Sequence, residues 1–205
     1  MEERRDPRPG DTLISKAGGK VLHADWMIGK WQFYVDAYKE AADRLVDQLK
    51  EWGPDDQLTL PILFMYRHFV ELKLKWIVFH IAWFAGVEAP KVNHDLTGLW
   101  KFILGNLDCL GGGLDKKMET GIDGLIKELA ILDPSSMTFR YSHNKADQEM
   151  PLPESLSMEH FKKNIAILTW GLDYIEGGID AEREGRAIEA ELEREYQSYL
   201  YEYAM

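Results

Sequence analysis

The distribution of hydrophobic and polar residues is most extreme between Leu60 and Ala85. Placed on a helix at about 100° per residue, this stretch is apolar over two wide arcs. The narrow remainder carries four ionisable residues, Arg67, His68, Glu71 and Lys75. The pattern predicts a central helix that is buried on most sides and has one charged stripe along its length.

The same stretch is long enough to cross a bilayer, but its charges argue against a membrane span. Arg67, Glu71, Lys73 and Lys75 all lie near its middle. Each of these groups would cost several kcal/mol in hydrocarbon. We therefore expect a core helix and no membrane partner.

Periodic hydrophobic positions predict further helices at about His23–Trp52, His94–Leu107, Asp115–Leu132, Ser155–Glu176 and Asp180–Tyr203. Asn93 is the predicted cap of the third helix, with Asp95 in its first turn. Gly177 and Gly178 are predicted to interrupt the chain before the last helix. Because no strand pair is evident, the predicted fold is all-α, an up-and-down bundle of five or six helices.

Composition along the chain divides it into three predicted parts. Residues 1–20 are rich in charge, Pro and Gly and predict a flexible leader, residues 21–179 form the bundle, and residues 180–205 form a charged C-terminal helix. The leader lacks the apolar core of a signal peptide. The expected location is therefore cytoplasmic.

Overall composition indicates a packed globular protein with an acidic surface. The chain has 205 residues, of which 45% are hydrophobic, and its net charge is −11. An acidic surface repels phosphate backbones, so nucleic acid could bind only at a local basic pocket. The single cysteine, Cys109, excludes an internal disulfide and a cysteine zinc cluster, and its simplest role is that of a small core residue.

The charged stripe permits two interpretations. In the first, Arg67, Glu71 and Lys75 form a ladder of alternating charge on a solvent-facing strip. In the second, the strip faces a cleft or a twofold axis, where Glu71 orients Arg67 or His68 toward a phosphate or a partner carboxylate. A weaker third hypothesis is a metal-dependent enzyme that uses His68, Glu71 and His94, but the spacing favours no metal and no cofactor.

The long irregular stretch between Ser135 and Pro153 contains the most suggestive polar cluster. Arg140 could bind an anion, His143 could move a proton, and Ser142 and Asn144 are hydrogen-bonding groups. The alternative is structural. In it Phe139 and Tyr141 pin the loop to the bundle, and Arg140 pairs with an acidic neighbour.

Three phrases in this helical chain, YRHFVELKLKWIV, HDLTGLW and FRYSHN, together resemble the HEPN-like bacterial proteins over about residues 31–175. The resemblance implies a bundle of about five helices that dimerises. It also implies a metal-independent ribonuclease of toxin or phage-defence systems, whose motif is an Arg followed, after four to six residues, by a His. This chain departs from that motif, because only two residues separate Arg140 from His143 and no other Arg has a His at the family spacing.

By resemblance, Arg140 would stabilise the charged phosphorane and His143 would move the proton of the 2′-hydroxyl. The leading hypothesis is a HEPN-like homodimer that binds RNA or a nucleotide, with these two as catalytic residues. The predicted binding residues are Arg67, His68, Glu71, Lys75, His94, Tyr141 and Asn144. The alternative is a non-catalytic interaction module that holds a second copy or a partner protein along Asp180–Tyr203.

Overall fold

The computed structural model describes residues 31–52, 56–91, 93–141 and 152–203, and all regular structure in these ranges is helical. The five α-helices are α1 Trp31–Trp52, α2 Thr59–Ala85, α3 Leu96–Leu104, α4 Lys116–Leu132 and α5 Met158–Tyr203. Short 3₁₀ turns lie at Asp56–Leu58 and Leu107–Leu110. The predicted all-α class is confirmed.

Helix α2 is the centre of the bundle and contacts α1, α3 and α5. One apolar arc of α2 is buried along its whole length, as the sequence pattern predicts, whereas the other is exposed at Phe79 and Trp83, where the prediction of burial is wrong. The helix ends at Gly86, whose positive φ of 66° turns the chain so that the Val87 N–H reaches the Ala82 carbonyl at 3.0 Å. Within the described residues, no helix is long and apolar enough to cross a membrane.

Side-chain contacts give the directions of the two helices beside α2. Helix α1 is antiparallel to it, because the Tyr66 hydroxyl lies 2.6 Å from Asp43 Oδ1 and the Trp31 indole donates to the Leu72 carbonyl. Helix α5 is parallel to α2. Lys73, near the middle of α2, pairs with Asp173. Further along both helices, Arg186 donates at 3.2 Å to the carbonyl of Phe84, which is next to the end of α2.

The segment between Gly86 and Asp95 returns along α2 before α3 begins. His94 contacts Arg67, whereas Cys109 Sγ, beyond α3, lies 3.9 Å from the Ile81 carbonyl. The chain across α3 therefore runs in the same direction as α2. The predicted strict up-and-down order is wrong at this step, because a nine-residue helix and an extended return segment replace one antiparallel helix.

Two predicted helix boundaries also differ from the structure. Asp95, not Asn93, caps α3, since its side chain accepts a hydrogen bond from the Gly98 N–H. The interruption predicted at Gly177 and Gly178 is wrong, because α5 is continuous. Each helical glycine costs only about 1 kcal/mol, which the burial of Ile175 and Ile179 on both sides offsets. The predicted leader and residues 23–30 of the first predicted helix lie outside the described residues.

Candidate functional site

The charged stripe of α2 lies inside the protein. Arg67 and Glu71 are fully buried. The Arg67 guanidinium donates to the Glu71 carboxylate, to the His94 carbonyl at 2.7 Å and to the Asp133 carbonyl at 3.2 Å. The solvent-facing interpretation is therefore wrong. Arg67, predicted to bind substrate, instead ties α2 to the segments before α3 and after α4.

The Glu71 carboxylate is the acceptor at the centre of this network. Burial alone would raise the pKa of Glu71, but hydrogen bonds from Lys75 and His94 and the charge of Arg67 hold its pKa below the usual range. The ionised carboxylate only accepts hydrogen bonds, so His94 Nδ1, at 2.9 Å from Oε1, must donate. The His94 side chain is 55% exposed.

Asp133 directly follows the last residue of α4 and shapes the turn after this helix. Its Oδ1 accepts the backbone N–H groups of Met137 and Thr138 at 2.8 and 3.0 Å, and Oδ2 lies 3.4 Å from Arg67 Nε. Ser136 in this turn has a positive φ of 59°. The dipeptide Asp133-Pro134 followed by two serines is a turn signal that could have indicated this role.

The same turn presents Arg140 to solvent. Arg140 Nε donates to the Ser136 carbonyl at 2.6 Å, and the guanidinium carbon lies 5.7 Å from the centre of the Phe64 ring and 5.5 Å from that of Tyr141. Arg140 forms no ion pair with any carboxylate in the part of the chain that the structure describes. Phe139 is buried, as the structural alternative predicted, but Tyr141 is 52% exposed, so the predicted anchoring of the loop by both aromatic residues is only half correct.

His68 contacts the same Phe64 ring as Arg140. Its ring stacks on Phe64 at 5.6 Å between centres and meets the edge of Tyr38 at 4.5 Å. Burial lowers the pKa of His68, and the positive charges of Lys75, Arg67 and Arg140 lower it further against the opposing effect of Glu71. His68 is therefore a neutral imidazole at pH 7, surrounded by three cations.

The predicted residues thus gather into two neighbouring groups. Arg140, Tyr141 and His68 meet around Phe64, whereas Lys75 and His94 meet at Glu71. The buried Arg67 belongs to the second group, because its guanidinium donates to Glu71. The predicted catalytic His143 and the predicted binding residue Asn144 lie outside the described residues.

Neither a metal site nor a reactive thiol emerges from these contacts. Among the described residues, no three His, Cys, Asp or Glu side chains are arranged to hold a metal ion. His68 packs between aromatic rings while His94 bonds to Glu71, which disagrees with the metal hypothesis. Burial, and then the charge of Glu182, raises the pKa of Cys109, so its thiol stays protonated and fits a packing role.

A second surface lies at the end of α5. Arg186, whose guanidinium also lies 4.8 Å from the centre of the Phe84 ring, is held at the end of α2. Residues 187–203 continue the helix for about 25 Å, at about 1.5 Å per residue, and all are exposed. We call this part of α5 the arm.

No protein family, curated protein or solved structure matches the chain.

Proposed function

We propose that this chain is a HEPN-like helical protein that binds RNA or a nucleotide at the surface formed by Arg140, His68 and Tyr141. One observation carries the proposal. The exposed Arg140 guanidinium has no carboxylate partner among the described residues and lies beside a neutral imidazole. Arg140 therefore gives this acidic protein a local cationic surface. With a net charge of −11, nucleic acid could bind only at such a surface.

The two exposed side chains of this surface suit the two parts of a nucleotide. The Arg140 guanidinium is held by its Nε and two aromatic rings, and Nη2 also donates weakly to Met137 Sδ at 3.6 Å. Its remaining terminal N–H groups have no partner among the described residues and suit a phosphate. Tyr141 is 52% exposed and can stack on a base. Together they favour a single-stranded or terminal nucleotide over a duplex, whose bases are already stacked.

The same surface supplies the groups that metal-independent RNA cleavage needs. The neutral imidazole of His68 takes the proton of the 2′-hydroxyl while that oxygen attacks phosphorus, or His143, which lies outside the described residues, takes it as the resemblance implies. Arg140 stabilises the negative charge that develops on the phosphorane oxygens. The bond from phosphorus to the 5′-oxygen breaks, the leaving oxygen takes a proton from solvent water, and a 2′,3′-cyclic phosphate remains. The resemblance places such an activity in a toxin or phage-defence setting.

The test measures binding and cleavage of fluorescein-labelled single-stranded RNA in chelator. We expect Arg140→Ala to weaken binding about tenfold or more, because one guanidinium–phosphate contact contributes about 1.5–3 kcal/mol. Arg183→Ala is the matched control, since Arg183 is a half-exposed arginine paired with Asp180 on α5. Its binding should change less than about twofold. Equal losses in both variants, or no binding by the wild type, would contradict the proposal.

Cleavage is judged separately from binding. Products with 2′,3′-cyclic ends that disappear in Arg140→Ala would establish a ribonuclease site. His68→Gln and His143→Ala then identify the base, because only the variant lacking it loses cleavage while retaining RNA binding. Binding without cleavage in the wild type would establish a nucleotide-binding protein without this activity.

A second function, that of a protein-interaction module, is favoured by the exposed arm. Ile188, Leu192 and three tyrosines leave its apolar side uncovered in the described part of the chain. Sedimentation velocity over a wide concentration range tests whether a second copy covers it. If the wild type forms a concentration-dependent dimer and Leu192→Glu does not, the arm binds a second copy of the chain. If the wild type is a monomer at all concentrations, the partner of the arm is a different protein.

A further inference from the structure

The arm carries a continuous apolar seam. Five residues at spacings of four, four, three and four lie within an arc of about 80° when placed at about 100° per residue. We call them the tyrosine seam: Ile188, Leu192, Tyr196, Tyr199 and Tyr203. Their exposed fractions are 51%, 59%, 57%, 55% and 74%, so the whole seam faces solvent.

The seam is already ordered within the arm. The rings of Tyr199 and Tyr203 lie 4.3 Å apart between centres. Away from the seam, on the opposite side of the helix, Gln197 donates to Glu193 at 2.7 Å and Arg194 to the Ala190 carbonyl at 3.0 Å. A partner would therefore meet a formed helix with rigid aromatic anchors, which lowers the entropy lost on binding.

The charges beside the seam have one sign. Glu189 and Glu193 lie along one edge, and Glu191, Glu195 and Glu202 lie along the other. The one basic residue of the arm, Arg194, is on the opposite side of the helix, about 160° from the middle of the seam. Both edges of the seam are thus acidic.

Acidic edges restrict what can cover the seam. Two copies of the arm would bring glutamates against glutamates in either a parallel or an antiparallel pair, which is unfavourable. Anionic lipid and nucleic acid are repelled for the same reason. The complementary occupant is a helix with an apolar face bordered by Lys or Arg.

We propose that the arm binds a basic amphipathic helix of another protein through the tyrosine seam. This inference rests on the second function above and adds the chemistry of the partner. Apolar contacts along the seam supply affinity, and the glutamates at its edges select basic partners over acidic ones.

Two synthetic peptides provide the probe. Both carry leucine at the a and d positions of a heptad repeat, and one has lysine and the other glutamate at e and g. Fluorescence anisotropy with the full chain should show the lysine peptide binding at least about tenfold more tightly. Tyr196→Ala with Tyr199→Ala should weaken that binding about tenfold or more. Tyr201→Ala is the matched control, because Tyr201 is 78% exposed but lies on the opposite side of the arm.

A charge reversal tests whether the preference for the lysine peptide comes from the edges of the seam or from the general attraction of a basic peptide to an acidic protein. Glu191→Lys with Glu195→Lys should abolish the preference for the lysine peptide. Glu128→Lys with Glu154→Lys changes the net charge equally on exposed residues of α4 and of the segment before α5, and should leave the preference intact.

Three results would overturn the inference. They are equal binding of both peptides, equal effects of the two charge-reversed variants, and a wild-type dimer that Tyr196→Ala with Tyr199→Ala dissociates. The dimer would sustain the interaction function with a second copy as partner. If the chain neither self-associates nor binds either peptide, both the inference and the interaction function fail, while RNA binding at Arg140 is unaffected.

Discussion

His94 Nδ1 lies 2.9 Å from Glu71 Oε1 and 3.1 Å from Oε2, a contact that joins the segment before α3 to the middle of α2. The same carboxylate also accepts hydrogen bonds from Arg67 and Lys75. A buried carboxylate is tolerated only with such compensation. The network therefore links α2 to the segment before α3. This is the place where the chain departs from the predicted up-and-down order of helices.

Removing Arg67 should destabilise the fold strongly. Arg67→Met leaves Glu71 and Asp133 buried without their shared cation, and we expect the free energy of unfolding in urea to fall by about 3–5 kcal/mol at pH 7. Arg183→Ala breaks only an exposed pair and should cost less than about 1 kcal/mol. A loss no larger in Arg67→Met than in this control would contradict a structural role.

His68 should make the fold less stable in mild acid. Because burial lowers the pKa of native His68, the unfolded chain takes up this proton first, near pH 6.5. The free energy of unfolding should therefore decrease as pH falls below about 6.5 and level off below the lower native pKa. Urea unfolding at several pH values measures the slope.

His68→Gln is the control for that slope, because glutamine does not titrate. The variant should be less sensitive to pH than the wild type between about pH 7 and 5. Glu71 acts in a separate window, since its lowered pKa gives stability that is present above about pH 4.5 and lost at lower pH. Identical slopes in wild type and variant would show that native His68 titrates normally.

Two glycines in α5 should respond oppositely to alanine. A Cβ on Gly171 would lie 2.7 and 2.8 Å from side-chain atoms of Ile122, whereas nothing lies within 4 Å of a Cβ on Gly185. Gly171→Ala should destabilise by about 1–3 kcal/mol despite better helix propensity, and Gly185→Ala should stabilise by up to about 1 kcal/mol. Thermal and urea unfolding measure both, and stabilisation by Gly171→Ala would show that Ile122 moves freely.

Lys73 should matter more at neutral than at acidic pH. Its buried ammonium lies 2.7 Å from Asp173 and 2.8 Å from Glu176, and burial raises the pKa of Glu176 even beside this cation. Lys73→Met should cost about 2–4 kcal/mol at pH 7, and less near pH 5, where Glu176 can take a proton.

A double-mutant cycle checks the origin of that loss. Adding Glu176→Gln to Lys73→Met should recover part of the stability at pH 7, because no ionised Glu176 then remains without its cation. Additive losses would mean that Lys73 contributes through packing of its aliphatic chain and not through Glu176.

Much of the helical content was predictable because helix periodicity is local. The apolar arcs of α2, the end of α1 at Trp52 and the end of α4 at Leu132 all follow from residue spacing. The continuity of α5 was not predictable in this way. Its two glycines favour a break locally, and only burial against the rest of the bundle overrides that preference.

The candidate site was predictable as a set of residue types but not as a set of roles. Spacing placed Arg67, Glu71 and Lys75 on one stripe, and this is correct. Whether the stripe met water or protein depended on His94 and Asp133, which lie 27 and 66 residues from Arg67 along the chain. Contacts at such separations leave no periodic signal.

The sequence by itself determined the all-α class, the central position of α2 and the acidic, tyrosine-bearing character of the arm, because each depends on neighbours a few residues apart. Tertiary structure alone decided that Arg67 is an internal cross-link, that Arg140 is an exposed cation beside His68, and that the arm passes the end of α2. These properties depend on which distant segments fill the space around a side chain, and the burial that results sets its charge, its partners and its access to a ligand.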